Sequence, residues 1–319
     1  MRLHPRNRRP NRKKNKPLRS RNRNLWKKPP PRWWPWGLGN TALTNLLHNT
    51  ISWDAQQGDG SYDFTPVYQP VKDLIQSADI AFLNQEVPLN GTVGRYPSLD
   101  APQQAADAIV DCGFDIVNEA SNHSLDKGID GLMNTLSAWK ARNMPVIGAF
   151  STPEEAAQPC ILERNGITFG FLGYTYGTNG IPIPEGKEYA ISLIDKDKIA
   201  QDMAALRPQC DYLVISLHWG TEYLLEPTQE QQELAQFVAD QGADLILGHH
   251  PHVLESAQWL TRADGGQTFC IYSLGNFVSS QNTKETMLGG MLSLTVHRRT
   301  DGTVETLAPG VLPIITHFE

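Results

Sequence analysis

Asp244-Leu245-Ile246-Leu247-Gly248-His249-His250-Pro251-His252 is an apolar run that passes directly into three imidazoles. It reads as a short buried strand with a polar cluster at its end. Three other segments repeat the layout: Phe82-Leu83-Asn84-Gln85-Glu86, Ile116-Val117-Asn118-Glu119-Ala120-Ser121-Asn122-His123, and Val214-Ile215-Ser216-Leu217-His218-Trp219-Gly220. In α/β sheets, ligands gather outside the carboxyl ends of the strands, so four such clusters can converge on one crevice.

Around these segments, strand-like and helix-like stretches alternate. Strands are expected at 80–84, 114–118, 145–147, 167–174, 212–217, 244–247 and 268–274, and helices at 102–112, 131–143 and 228–240. Pro102 stands near the first turn of its helix and Gly113 just past the end, while Gly242 closes the third helix. Residues 291–297 and 303–307 read as a hairpin around Asp301-Gly302. Strands alternating with helices of about 10–14 residues mean a layered α/β domain. No internal repeat is present.

The 319 residues are 40% hydrophobic and 19% charged, which suits an ordinary globular protein with a sizeable core. No run of about 18 apolar residues exists, so the chain as written carries no transmembrane helix. The net charge of -6 conceals a split. Residues 1–36 hold 14 of the 28 Lys and Arg, seven of the 22 prolines, four of the eight tryptophans and no acid. The remainder therefore sets 14 basic side chains against 34 acidic ones.

Such an opening lacks the apolar content to offset its ordering entropy and reads as disordered. It is no signal peptide, because an apolar stretch of about 7–15 residues is missing. Three readings stay open: a basic tail for nucleic acid or an anionic surface, a plain solvated tail, or a frameshifted or misplaced start. The expected division is 1–43 as the basic Pro/Trp-rich segment and 44–319 as the folded domain.

Cys112, Cys160, Cys210 and Cys270 form no CxxC pair and read as small buried apolar residues. Taken alone, Glu86 reads as a surface or capping residue, Asn122-His123 as a helix start, and His218 as a satisfied core histidine. The 249–252 cluster differs. Three imidazoles behind a buried strand are costly to pack without partners, and His-x-His places two rings on one side of an extended backbone. Metal coordination is the expectation there, and it strengthens the case for the other segments. Imidazoles combined with amide and carboxylate oxygens suit Mn, Fe, Zn or Mg better than calcium. Paired ions of this kind acidify a bridging water and clamp phosphoryl oxygens, with a neighbouring free His as general acid.

Five stretches now appear in order: Asn84-Gln85-Glu86-Val87-Pro88, Ser121-Asn122-His123-Ser124-Leu125-Asp126-Lys127-Gly128, His218-Trp219-Gly220-Thr221-Glu222-Tyr223, Gly248-His249-His250-Pro251-His252-Val253 and Tyr272-Ser273-Leu274-Gly275-Asn276-Phe277. Together they resemble the bacterial capsule-synthesis proteins of the CapA type, also called poly-γ-glutamate capsule biosynthesis proteins. The resemblance covers roughly residues 46–315. It implies the four-layer α/β/β/α sandwich of calcineurin-like metallophosphoesterases. It also implies roles: Glu86 as bridging carboxylate, Asn122 as amide ligand, and His218, His250 and His252 as imidazole ligands of divalent metal ions. His123 would be the acid that protonates a leaving oxygen. His249 is the alternative ligand within its cluster, and Asp126, Glu222 and Asn276 are candidates to orient the imidazoles.

One departure stands out. The family opens with an apolar strand ending in Gly-Asp, whose Asp is a metal ligand. Here Leu43-Thr44-Asn45-Leu46-Leu47-His48 puts Thr44 in the place of that Asp, and Trp33-Trp34-Pro35-Trp36 precedes it. The first core strand is therefore expected to be missing or replaced, and any phosphoesterase activity to be impaired. The resemblance implies an extracytoplasmic, membrane-associated protein that serves a capsular polymer or its membrane synthesis complex. The export segment such a protein needs is absent from the chain as written. A metal-dependent phosphoesterase unrelated to capsule is the alternative. A nucleic-acid-binding role would rest on the basic opening alone, and no specific nucleic acid is expected as a partner.

Overall fold

Along Ile80–Gln85 alternate side chains enter two different cores, and the same sorting governs both sheets. The structure, a computed structural model, describes residues 41–46, 55–94 and 98–316, with 41–46 as backbone only. The chain divides between Gly37 and Leu38. The basic opening before Thr41 lies outside the described residues, as does His48.

Strands β1 (Thr41–Leu46), β2 (Ile80–Gln85), β3 (Ile116–Asn118) and β4 (Val146–Ile147) run parallel in one sheet. β5 (Cys160–Arg164), β6 (Ile167–Thr175), β7 (Tyr212–His218), β8 (Leu245–His249), β9 (Ala257–Thr261) and β10 (Gln267–Ile271) make the second sheet. Its order is β5-β6-β7-β8-β10-β9, with parallel strands at the centre and antiparallel β5 and β9 at the edges. The hairpin β11 (Leu288–Arg298) and β12 (Val304–Ile315) then returns to the first sheet, giving β12-β11-β1-β2-β3-β4.

Ile80, Phe82 and Ile116 face Phe169, Phe171, Tyr212, Val214, Leu245 and Leu247 of the other sheet. Their neighbours Ala81, Leu83 and Val117 point outward onto helix α1 (Gln104–Cys112) through Ala105, Ala106 and Ile109, and onto Trp139 of helix α2 (Gly128–Ala141). On the far side Leu213, Ile215, Leu217 and Ile246 pack against helix α3 (Lys196–Leu206) and helix α4 (Gln229–Asp240). The order is helix, sheet, sheet, helix: the four-layer α/β/β/α sandwich. Period-two alternation in strands with both faces covered requires this. α1 stops at Gly113, whose φ of 104° only glycine adopts freely. α4 starts in a reciprocal capping box between Thr228 and Gln231.

One expectation is corrected. The first core strand is neither missing nor replaced: β1 stands inside the first sheet, parallel to β2 and antiparallel to β11. Thr44 is in register with Leu83. Thr-Ala-Leu-Thr-Asn-Leu is weakly apolar, but strands on both sides supply its ladder partners, and that tertiary setting outweighs the local composition. Helix α3 and edge strands β5 and β9 were not anticipated either. Edge strands bury little and carry a weak apolar signal.

Candidate metal centre

The inward-facing row of each central strand is apolar until its carboxyl end, where it turns polar. Ile80 and Phe82 are followed on the same face by Asn84 and then Glu86, Tyr212 and Val214 by Ser216 and His218, and Leu245 and Leu247 by His249. All five polar residues are buried. The strands run parallel, so these ends share one edge of the sandwich. Asn118 donates its side-chain N–H to Asn84 Oδ1 at 2.7 Å. Gly173 makes room for Asn118, since a Cβ there would collide with its Oδ1.

Beyond β8 the backbone becomes strained. His250 has φ 102° and His252 φ 61°, a region that L side chains with a Cβ rarely enter. Such outliers persist where surrounding structure over-determines them, and they cluster at functional sites. The two turns bring His250 to a ring separation of 5.0 Å from His218 and 6.0 Å from His252.

Glu86 lies among these rings. Its Oε1 is 3.7 Å from His218 Nε2 and 3.6 Å from His252 Nε2, beyond hydrogen-bond length. Donor atoms of Glu86, His250 and His252 all lie within 4.8 Å of one another. Both Glu86 oxygens, His218 Nδ1 and His250 Nδ1 are buried without a hydrogen-bond partner. An uncompensated buried carboxylate beside unpaired imidazoles is costly, and a cation resolves the cost. Donor atoms that share one ion at about 2 Å stand within about 4 Å of each other, so small side-chain shifts complete the set. The residues fit a divalent ion of the nitrogen-and-oxygen class.

Electrostatics agree with that fit. Burial pushes the Glu86 carboxyl upward, with His252 and His123 opposing. Burial, then the neighbouring imidazoles, holds His218 well below the usual histidine range. Burial and then His252 push His250 down to about 3. These rings stay neutral near pH 7, the form that binds metal.

His218 Nε2 meets Asn122 Oδ1 at 2.8 Å. His123, next along, puts Nδ1 2.8 Å from the Asp126 carboxylate. Burial opposes charge on His123, but the Asp126 hydrogen bond, aided by Glu86, outweighs it and raises the pKa. His252 Nδ1 is 3.1 Å from Asn276 Oδ1, and Asn276 in turn donates to the Thr286 carbonyl at 2.9 Å.

The structure thus brings Glu86, Asn122, His123, His218, His250 and His252 into one pocket, with Asp126 and Asn276 each bonded to an imidazole. Two residues stand apart. Glu222 is exposed and acts on Glu86 and His123 through its charge; no hydrogen bond from it to an imidazole occurs among the described residues. His249 stacks on Phe82 at 6.1 Å, and both its ring nitrogens are buried without partners.

Sequence reading missed Asn179, Tyr176 and Tyr223. Asn179 Oδ1 accepts from Asn122 Nδ2 at 3.1 Å, and its amide nitrogen lies 3.4 Å from His123 Nδ1. Its signal was available: β6 runs straight into Tyr176-Gly177-Thr178-Asn179-Gly180, the same change from apolar strand to polar turn.

Comparison with known proteins gives the following. The family profile described as "Bacterial capsule synthesis protein PGA_cap" matches residues 44–281. The chain is 28% identical to the PGA biosynthesis protein CapA of Bacillus subtilis over 267 residues, 79% of this chain and 65% of that protein. It is 30% identical to the capsule biosynthesis protein CapA of Bacillus anthracis over 209 residues, 64% of this chain and 49% of that one. The chain therefore spans between half and two thirds of the curated relatives it matches. Among solved structures it is similar to the Haemophilus influenzae NAD nucleotidase, with a TM-score of 0.55, 15% identity, and coverage of 86% of this chain and 50% of the other. At that identity the likeness concerns the fold, which is of metallophosphoesterase type.

Proposed function

Because this chain belongs to the bacterial capsule synthesis protein family, we propose that it serves synthesis or export of a capsular polymer of the poly-γ-glutamate type through a metallophosphoesterase-like centre. The observation that carries the chemical half is the buried Glu86 carboxylate, both oxygens without partners, within reach of His250 and His252. Glu86, Asn122, His218, His250 and His252 would hold divalent metal, its identity among Mn, Fe, Zn and Mg being open to assay. When bound, such an ion supplies Lewis-acid polarisation of a phosphoryl oxygen and a more acidic water.

The chain's own residues do the rest. Glu86 offers the charge that balances the cation. Asn122 and His218 reach the centre from opposite sheets. His123, with Nδ1 tied to Asp126, holds a proton on its other ring nitrogen for a leaving oxygen. Asn276 fixes the ring of His252 by its bond to Nδ1. The capsular polymer or its membrane synthesis complex is the expected partner, at an extracytoplasmic, membrane-associated location. Among the described residues no helix is long and apolar enough to cross a membrane.

Two measurements test this reading. Elemental analysis of the purified chain should find bound divalent metal that Glu86→Gln loses. In a capsule-forming host lacking its own homologue, the wild-type chain should restore polymer and Glu86→Gln should not. Full restoration by a metal-free Glu86→Gln protein would separate the pathway role from the centre and remove the chemical half of the proposal.

A further inference from the structure

Four large apolar side chains stand in solvent beside the imidazoles: Tyr176, Tyr223, Leu224 and Leu225, at 48%, 54%, 47% and 55% exposure. They come from two loops that follow neighbouring parallel strands, β6 and β7. The Tyr176 ring lies 4.7 Å from His250 and is stacked on His218 at 6.4 Å. Tyr223 is stacked on His252 at 5.9 Å. The pocket is thus flanked by an aromatic ring on each side, and two leucines continue the second side.

Core packing does not explain these positions, because half of each side chain is wet. Scattered exposed apolar residues are ordinary, whereas a group rimming a polar pocket marks a binding surface. Tyr223 also holds φ 67°, a conformation unfavourable for a bulky residue, and its N–H is fixed to the Pro251 carbonyl at 2.8 Å. That bond ties the tyrosine to the same turn that carries His250 and His252.

The charges at this mouth point the same way. Those acting on Glu86, His123 and Tyr176 include the carboxylates of Glu222 and Asp126. An acidic, apolar mouth repels a polyanion and favours a ligand whose only charge is the group that reaches the centre.

We propose that this mouth is a subsite for the apolar alcohol portion of a phosphate ester. The substrate class is then an amphiphilic phosphate, with its phosphoryl group at Glu86 and the histidines and its hydrocarbon or aryl part between Tyr176 and Tyr223-Leu224-Leu225. The inference rests on the metal-centre reading above and names the substrate class for it. It also separates the ligand of the centre from the polymer itself.

Binding by the metal-loaded full chain tests it without turnover. Titration calorimetry with methyl-, butyl- and octylphosphonate should show affinity rising by up to about fourfold per methylene over the first few carbons, the limit for full burial of each group. Tyr223→Ala and Leu225→Ala should each flatten that rise, with their deficit growing with chain length, while metal content stays at the wild-type level. Soluble poly-γ-glutamate should not compete. Co-sedimentation with zwitterionic vesicles that contain a phosphate-monoester lipid, and not with vesicles lacking it, would identify a membrane source for the ester. Response to the soluble series alone would identify a free one. Octylphosphonate binding no tighter than methylphosphonate overturns the inference and leaves the metal centre standing, as does competition by the polyanion. If no phosphonate binds the metal-loaded protein, the phosphoryl reading falls and this inference with it.

Discussion

His218 Nε2 lies 2.8 Å from Asn122 Oδ1, and the two residues ride on different sheets, one at the end of β7 and the other just beyond β3. The centre is therefore assembled across the seam of the sandwich. Asn122→Ala and His218→Ala should each weaken metal binding by at least about tenfold by calorimetry. In metal-free protein Asn122→Ala should also cost about 1–3 kcal/mol in urea unfolding, because a buried imidazole loses its partner. The double variant should show coupling rather than a simple sum.

His123 should act as acid, not ligand. His123→Ala should keep its metal by elemental analysis and lose about 10²–10⁴-fold in any phosphodiester turnover. Burial disfavours the imidazolium, yet Asp126 and Glu86 outweigh it and raise the pKa. A step that needs the protonated ring therefore persists above the ordinary histidine value of about 6.5 and fails only at higher pH. Asp126→Asn should move that alkaline limb of the pH–rate profile downward. An unmoved limb would assign it to another group.

His249 offers a stability test. Burial pushes it down to about 3, so the folded ring stays neutral where the unfolded one protonates. Its contribution is full above the unfolded value and is lost as pH falls from about 6.5 toward 3. His249→Phe removes this proton uptake and should gain about 2 kcal/mol over wild type near pH 5, at about 1.36 kcal/mol per pH unit. The metal should remain. Its loss in His249→Phe would make this ring a ligand.

Asn179 fixes which way the Asn122 amide faces by accepting its N–H. Asn179→Ala should weaken metal affinity about tenfold. Asn179→Asp, which keeps the accepting oxygen, should recover most of it in the same calorimetric assay.

The resemblance sets Thr44 in the place of the family's first aspartate, but its register with Leu83 puts it on the helix-facing side of β1, opposite the row that ends in Asn84 and Glu86. Thr44→Asp should therefore leave the metal content by elemental analysis unchanged. A rise toward two ions per chain would return Thr44 to the place that the resemblance gives it.

The sheets and the polar pocket at their carboxyl ends were legible because strands in a doubly covered sheet are apolar throughout, so Glu86, Asn122 and His218 stand out where the runs end. The His249–His250–His252 cluster was legible only as a cluster. Which rings enter the pocket depends on left-handed turns at His250 and His252 that no periodicity announces. Asn179 escaped because its loop carries neither histidine nor acid, and an amide is noticed only once its partners are in place. β1 was misjudged because its stability comes from strands distant in sequence.

The return of the chain to its first sheet has a consequence for synthesis. One flank of β1 pairs early with β2, but the other waits for Leu292 of β11, after the whole second sheet has been made. During vectorial synthesis that flank is an open strand edge, available to any passing chain. Contacts so far apart in sequence also close slowly. A ribosome product halted before Leu288 is thus an unfinished, adhesive sheet rather than a smaller protein, and chaperone demand should peak in that interval.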